Sequence, residues 1–89
     1  MSKQHYYYVY MLLCKNKSIY TGITDNVGRR FADHKKGAGA RYTRAFGVVK
    51  ILYTEKLKSK SAALKREYEI KTWKRREKVE LIRSRTLKK

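Results

Sequence analysis

Eighty-nine residues carry 24 Lys and Arg against 7 Asp and Glu, a formal charge of +17. A chain of this length can bury roughly 60–65% of its unfolded surface, enough for one modest core but not for a second domain or a large cofactor cavity. The charge favours a polyanionic partner, most simply nucleic acid, and a hydrophobic content of 42% with eight Tyr excludes a disordered basic tail.

Tyr6 to Leu13 is rich in aromatic and β-favouring residues and reads as a buried strand. It is far short of the roughly 20 residues needed to cross a bilayer, and no secretory pattern precedes it, so no membrane partner is expected. The polar run 14–18 reads as a turn opened by Cys14, the single cysteine. Alone it can form neither an intramolecular disulfide nor a Cys-rich zinc site, and it reads as an inert turn residue in a cytoplasmic protein, nucleoid-associated if prokaryotic. Ile19 to Gly22 makes the second strand of a hairpin whose register the sequence leaves open. Thr24 or Asp25 can N-cap a helix over about residues 26–36, with Val27 and Phe31 at i, i+4. Gly37-Ala38-Gly39-Ala40 breaks that helix into a flexible basic loop carrying Arg41 and Arg44.

Val48 to Tyr53 reads as a third strand. Ser59 or Ser61 opens a second helix running to about Trp73, and Glu77 to Arg85 makes a third, with the tail from Arg83 frayed. The order β-β-α-β-α-α predicts an α+β fold, a three-stranded antiparallel sheet packed with about three helices. Without proline or low-complexity linkers, residues 1–89 form one domain, with its core over about 6–75 and a basic helix and tail over about 76–89. Net charge is +2 over residues 1–26, +6 over 27–50 and +9 over 51–89, so the basic surface lies beyond the hairpin.

Three placements are odd for a chain that only folds. Ala63, Glu67 and Ile70 fall at i, i+4 and i+7, so Glu67 sits in an apolar stripe where a bare carboxylate is costly and needs an arginine partner or a metal. Arg30 and His34 lie one turn apart and flank Phe31. Tyr8 and Tyr10 share one strand face, and the hairpin returns Tyr20 and Gly22 beside them. One cluster of Tyr, Arg, His and Glu over a sheet face is the result.

Tyr8-Val9-Tyr10 followed by Tyr20-Thr21-Gly22 resembles the paired signatures of the GIY-YIG nucleases. The resemblance continues through Arg30 and His34 on the first helix and through Ala63-Leu64-Lys65-Arg66-Glu67, which looks like the family's helix with its metal-binding glutamate. Tyr8 stands where the first signature has glycine, Thr21 replaces the usual isoleucine, and the later asparagine of some members has no counterpart. The resemblance implies hydrolysis of a DNA phosphodiester, structure-directed rather than sequence-specific, in repair or recombination. Glu67 would bind Mg²⁺ or Mn²⁺, Arg30 would hold the phosphate, and Tyr10 would serve as general base once nearby cations lowered its pKa. Tyr20 and His34 would position water or share the proton network, and Gly22 would let backbone approach the substrate.

The remaining bases divide into phosphate contacts and solvated charge. Arg29, Lys35, Lys36, Arg41, Arg44, Lys71, Lys74, Arg75, Arg76 and Lys78 are the residues expected to grip DNA without reading its sequence. Tyr6, Tyr7 and Tyr42 read as packing or as base-stacking residues, Trp73 as core and Glu69 as a solvated acid. The alternative readings are a non-catalytic nucleic-acid-binding module and a nuclease subunit that needs a partner protein for targeting. A monomer or weak dimer is expected.

Overall fold

A computed structural model of the chain describes residues 5–87. The elements are β1 (Tyr7–Cys14), β2 (Ile19–Thr24), α1 (Val27–Lys36), α2 (Arg41–Phe46), β3 (Val48–Leu57), α3 (Lys60–Lys71) and α4 (Arg75–Leu87). The fold is α+β: an antiparallel sheet of order β2-β1-β3, with β1 central. Centrality explains the unbroken apolar run of β1, because a strand paired on both edges and covered on both faces has no solvated side. Val9 and Met11 join Tyr53, Ala63 and Ile70 on one face, with Leu81 and Ile82 of α4 packed behind. Tyr10, Leu12, Cys14 and Val48 form the other cluster, against which Tyr20 and Phe31 pack.

The hairpin turn closes when Cys14 N–H donates to Ser18 O at 2.9 Å and Lys17 N–H donates to Cys14 O at 2.8 Å. Cys14 is therefore the last residue of β1, and it is buried in the core rather than lying in the turn. The register pairs Tyr10 with Gly22 and Leu12 with Tyr20.

Helix boundaries follow their caps, of which Ser59 is one the sequence offered and the other two lie one or more residues from expectation. Thr24 ends β2 and its Oγ1 accepts the Asn26 N–H, so the cap of α1 falls to Asn26, whose Oδ1 accepts Arg29 N–H at 3.0 Å. Ser59 caps α3 by accepting Ala62 N–H at 3.1 Å. That helix stops at Lys71. Glu77 Oε1 accepts Lys74 N–H at 2.8 Å, the back-reaching bond of a third helical position, so α4 begins at Arg75 and not at Glu77.

Two segments differ from expectation. Residues 41–46, expected as flexible loop, wind into α2, held by Thr43 Oγ1 donating to Ala40 O at 3.0 Å and by Tyr42 and Phe46 packing one turn apart. The helix set is thus larger by one than the sequence order suggested. The stretch from Arg83, expected to fray, continues α4, and Arg85 Nη1 donates to Thr54 O at 2.9 Å while its guanidinium lies over Tyr53. Lys88 and Lys89 of that expected tail lie outside the described residues.

α3 is aimed by two constraints. Ala63 and Ile70 face the core, and Arg66 Nε reaches Glu55 of β3 at 3.1 Å while its Nη1 holds Glu69 at 2.9 Å. Neighbouring helical positions are about 100° apart, so fixing Arg66 on β3 also fixes the direction of Glu67. Truncating the fully buried Ile70 to Ala should cost about 2–5 kcal/mol in urea unfolding, whereas Leu64→Ala on the exposed side should cost under about 1 kcal/mol.

Candidate active site

The centre is built on the Tyr10–Gly22 pair of the hairpin. A Cβ at position 22 would lie 2.6 Å from Tyr10 Oη, so only glycine lets the phenol cross the neighbouring strand. The space expected for substrate is taken by the tyrosine ring. Tyr10 Oη lies 2.8 Å from His34 Nε2, and His34 Nδ1 lies 2.6 Å from Thr43 Oγ1. Tyr10 and His34 are 2% exposed and Thr43 is 1% exposed. Gly39 passes against the His34 ring so closely that any side chain there would strike Nδ1.

This chain of bonds assigns the histidine tautomer. The single hydroxyl proton of Thr43 is donated to Ala40 O, so Thr43 Oγ1 must accept from His34 Nδ1–H. His34 Nε2 is then the unprotonated nitrogen, and it accepts the Tyr10 O–H. Burial lowers the His34 pKa and the Arg30 charge lowers it further, so the ring is neutral at pH 7. Burial likewise pushes Tyr10 up to about 12, against the pull of Arg30 beside its hydroxyl, with Tyr20 and Glu67 adding to the rise. The shift in the substrate-free protein therefore runs opposite to the lowering expected from nearby cations. A Tyr10 proton leaves most easily into His34 and not into water.

The other site residues surround this pair. Tyr20 packs its ring 6.3 Å from that of Tyr10 and meets His34 edge-on at 5.4 Å. Arg30 is 35% exposed, lies beside the Tyr10 hydroxyl and has Asp33 at 3.9 Å, so the exposed part of its guanidinium can meet a ligand. Glu67 is 17% exposed at its side chain and pairs with Lys71 Nζ at 3.1 Å. Its partner is thus a lysine one turn on, not an arginine. Among the described residues no three His, Cys, Asp or Glu side chains cluster as a metal cage. A lone, partly exposed carboxylate suits a hard cation that keeps most of its waters, and the pairing with a flexible exposed lysine leaves Glu67 able to change partner. Mg²⁺ or Mn²⁺ fits that donor set.

Tyr20, Arg30 and His34 are brought together around the Tyr10 hydroxyl, and the Glu67 charge lies close enough to act on it. The expected phosphate contacts are spread more widely. Lys71 lines a groove with Ile19, Tyr20, Thr21, Tyr42 and Lys78, directly beside the centre. Arg41 and Arg44 are exposed on α2, and Lys35 and Lys36 at the end of α1. Lys74, Arg75 and Arg76 are exposed where α3 hands over to α4, and Arg29 is engaged by Asp25 at 3.1 Å. Lys78, also expected as a phosphate contact, lines the same groove as Lys71, whereas sequence reasoning missed Thr43. The only available signal for Thr43 was its position three residues after Ala40, which matters only once α2 is known to exist.

A family model described as the GIY-YIG catalytic domain matches residues 6–80. A UPF0213 protein of Staphylococcus haemolyticus is 48% identical over 79 residues, 89% of this chain and 96% of that protein. One from Natronomonas pharaonis is 48% identical over 80 residues, 90% of this chain and 94% of its own. The solution structure of a UPF0213 protein of Bacillus halodurans superposes with a TM-score of 0.56 at 44% identity, covering 86% of this chain and 82% of that one. That of an E. faecalis protein gives 0.64 at 34% identity, covering 100% and 95%.

Two outcomes are expected from the buried relay. Thr43→Val keeps the shape but strands His34 Nδ1–H, and should cost about 1–3 kcal/mol in denaturant unfolding, while Thr43→Ser restores most of it. The folded state disfavours protonated His34, so between the folded pKa and the ordinary 6.5 the unfolded chain binds more protons. The His34 contribution is complete above 6.5 and is lost as pH falls below it; melting temperatures from pH 8 to pH 5 should show that loss, reduced in His34→Gln.

Proposed function

The chain belongs to the GIY-YIG nuclease family, and from that premise we propose that it is a metal-dependent DNA endonuclease, directed by DNA structure rather than by sequence and serving repair or recombination. The observation that supports this most directly is the buried Tyr10–His34–Thr43 relay set against an available arginine and a partly exposed carboxylate. When bound, Mg²⁺ or Mn²⁺ held by Glu67 supplies positive charge against the scissile phosphate and the departing 3′ oxygen.

The chain's own residues do the rest. Arg30 takes the non-bridging phosphate oxygens in its planar fork. Tyr10 Oη accepts a proton from the attacking water while its own proton passes to His34 Nε2, so the net transfer is from water to imidazole and no free tyrosinate is needed. Thr43 keeps Nε2 as the accepting nitrogen by holding the proton on Nδ1. Tyr20 walls the other side and orients the water. Lys71, Arg41, Arg44 and the exposed bases of α1 and of the α3–α4 junction hold the backbone.

A cleavage panel of duplex, nicked, flap, junction and single-stranded DNA tests this. Cutting is expected with Mg²⁺ or Mn²⁺ and not with a chelator, and Tyr10→Phe and Glu67→Ala should each lose about 100-fold or more. Full activity from Glu67→Ala would overturn the mechanism, and salt-sensitive binding without any cutting would favour a binding module or a subunit completed by a partner protein. The acid limb of kcat/KM should fall below the ordinary histidine value of 6.5, because burial and Arg30 both lower His34 in the free protein.

A further inference from the structure

The relay at the centre connects to the surface through a row of rings. His34 meets Tyr20, Tyr20 lies nearly parallel to Tyr42 with centroids 6.2 Å apart and planes 23° apart, and Tyr42 meets Phe46 at 4.8 Å. The last two are exposed, Tyr42 at 40% and Phe46 at 44%. Tyr42 is nevertheless held in place, since its hydroxyl donates to Ser18 Oγ at 2.7 Å, and Ser18 in turn donates to Asn16 Oδ1 on the hairpin turn. A large aromatic surface kept in water and fixed from behind has no role in the core of this fold.

The surroundings indicate what it meets. The groove beside Tyr42 is lined by Lys71, which Glu67 holds at 3.1 Å, and by Lys78, and Arg41 and Arg44 stand exposed on the same short helix. Cations for a backbone and a flat apolar face for a ring together suit a nucleotide. Two rings are too little for a stable protein interface, which takes about 800 Å² on each partner.

We infer that Tyr42 and Phe46 form a stacking platform for an unpaired base of the DNA strand being cut. Lys71 and Lys78 hold the adjoining phosphates, and Tyr20 links the platform to the reaction centre. A base inside a duplex cannot reach this face without leaving its stack, so the preferred substrates are those with an unpaired nucleotide beside the scissile phosphate. This inference rests on the nuclease reading for its consequence in cleavage but not for its binding test.

The test uses full-length protein carrying Glu67→Gln, which needs no turnover, and short DNA strands with 2-aminopurine at successive positions. Binding should quench 2-aminopurine at one position. Tyr42→Ala and Phe46→Ala should each weaken single-strand binding by about tenfold and change binding of a duplex of equal length by less than about twofold. Tyr42→Phe, which keeps the ring and loses only the bond to Ser18, should bind like the parent. Thermal melts identify any variant that fails to fold, and Phe46→Ala then stands in for Tyr42→Ala. Equal losses on single strand and duplex, or no quenching at any position, would overturn the platform. If the quenching and the selective losses appear while the wild-type protein cuts nothing, the cleavage reading fails and the platform stands.

Discussion

One hydrogen bond ties this fold to its chemistry. Tyr10 Oη and His34 Nε2 meet at 2.8 Å inside a core where both side chains are almost wholly removed from water, from positions 24 residues apart. In such a place an unpaired hydroxyl or imidazole would cost as much as several well-made surface contacts give. Much of the architecture keeps that bond satisfied. Gly22 leaves room for the phenol, Asn26 starts α1 so that its third turn carries His34 inward, and Gly39 lets the chain pass the ring. The six-residue α2 then delivers Thr43 to the second nitrogen. Loss of any one leaves a buried polar group without its partner, so fold stability and site geometry are specified by the same residues.

The five residues at the centre were legible in the sequence because ordered signatures carry identity and spacing, and helical period places Arg30 beside His34 and Glu67 between Ala63 and Ile70. The hairpin register was not legible. An alternating pattern is unchanged by a slip of two residues, and the register is set instead by the Cys14–Ser18 turn with Lys17 at a φ of 70°. α2 escaped because six residues after Gly-Ala-Gly-Ala are too few to show a period, and with it went Thr43, whose meaning depends on that helix. β3 runs on through Thr54, Glu55 and Lys56 because it is an edge strand, and polar residues there pair with β1 without needing a core. Arg85, which the sequence left in a fraying tail, anchors α4 to that same polar stretch. The direction of the Tyr10 shift was beyond reach for a simpler reason: spacing counts the cations near a phenol but not the depth at which it lies.

Charge is arranged so that the +17 and the relay do not compete. Bare cations packed around His34 would hold it deprotonated at any useful pH, and of the charges acting on it only Arg30 is a base, with Asp33 opposing. Of the other bases expected to grip DNA, Lys35 and Lys36 at the end of α1, Arg41 and Arg44 on α2, and Lys74, Arg75 and Arg76 at the α3–α4 junction are exposed and screened by solvent, while Arg29 is engaged by Asp25. Lys71 stands at the boundary, paired with Glu67 and open to the groove beside Tyr20 and Tyr42.

Arg30 acts on the two relay groups in one direction, lowering both Tyr10 and His34. For the phenol that helps a proton leave, but for the imidazole it resists the arrival of the same proton. In the proposed reaction a phosphate seated on Arg30 offsets that charge before the water attacks, and both groups then rise together. His34 regains basicity because a nearby cation has been neutralised, and the Tyr10 proton needs no solvent acceptor, because the imidazole already lies 2.8 Å away. A bound phosphodiester thereby prepares the base that its own cleavage requires, and an empty site keeps the relay at rest with His34 neutral and Tyr10 protonated. The raised pKa of the buried tyrosine is consistent with this role, since a phenol that ionised freely would hold no proton to pass on.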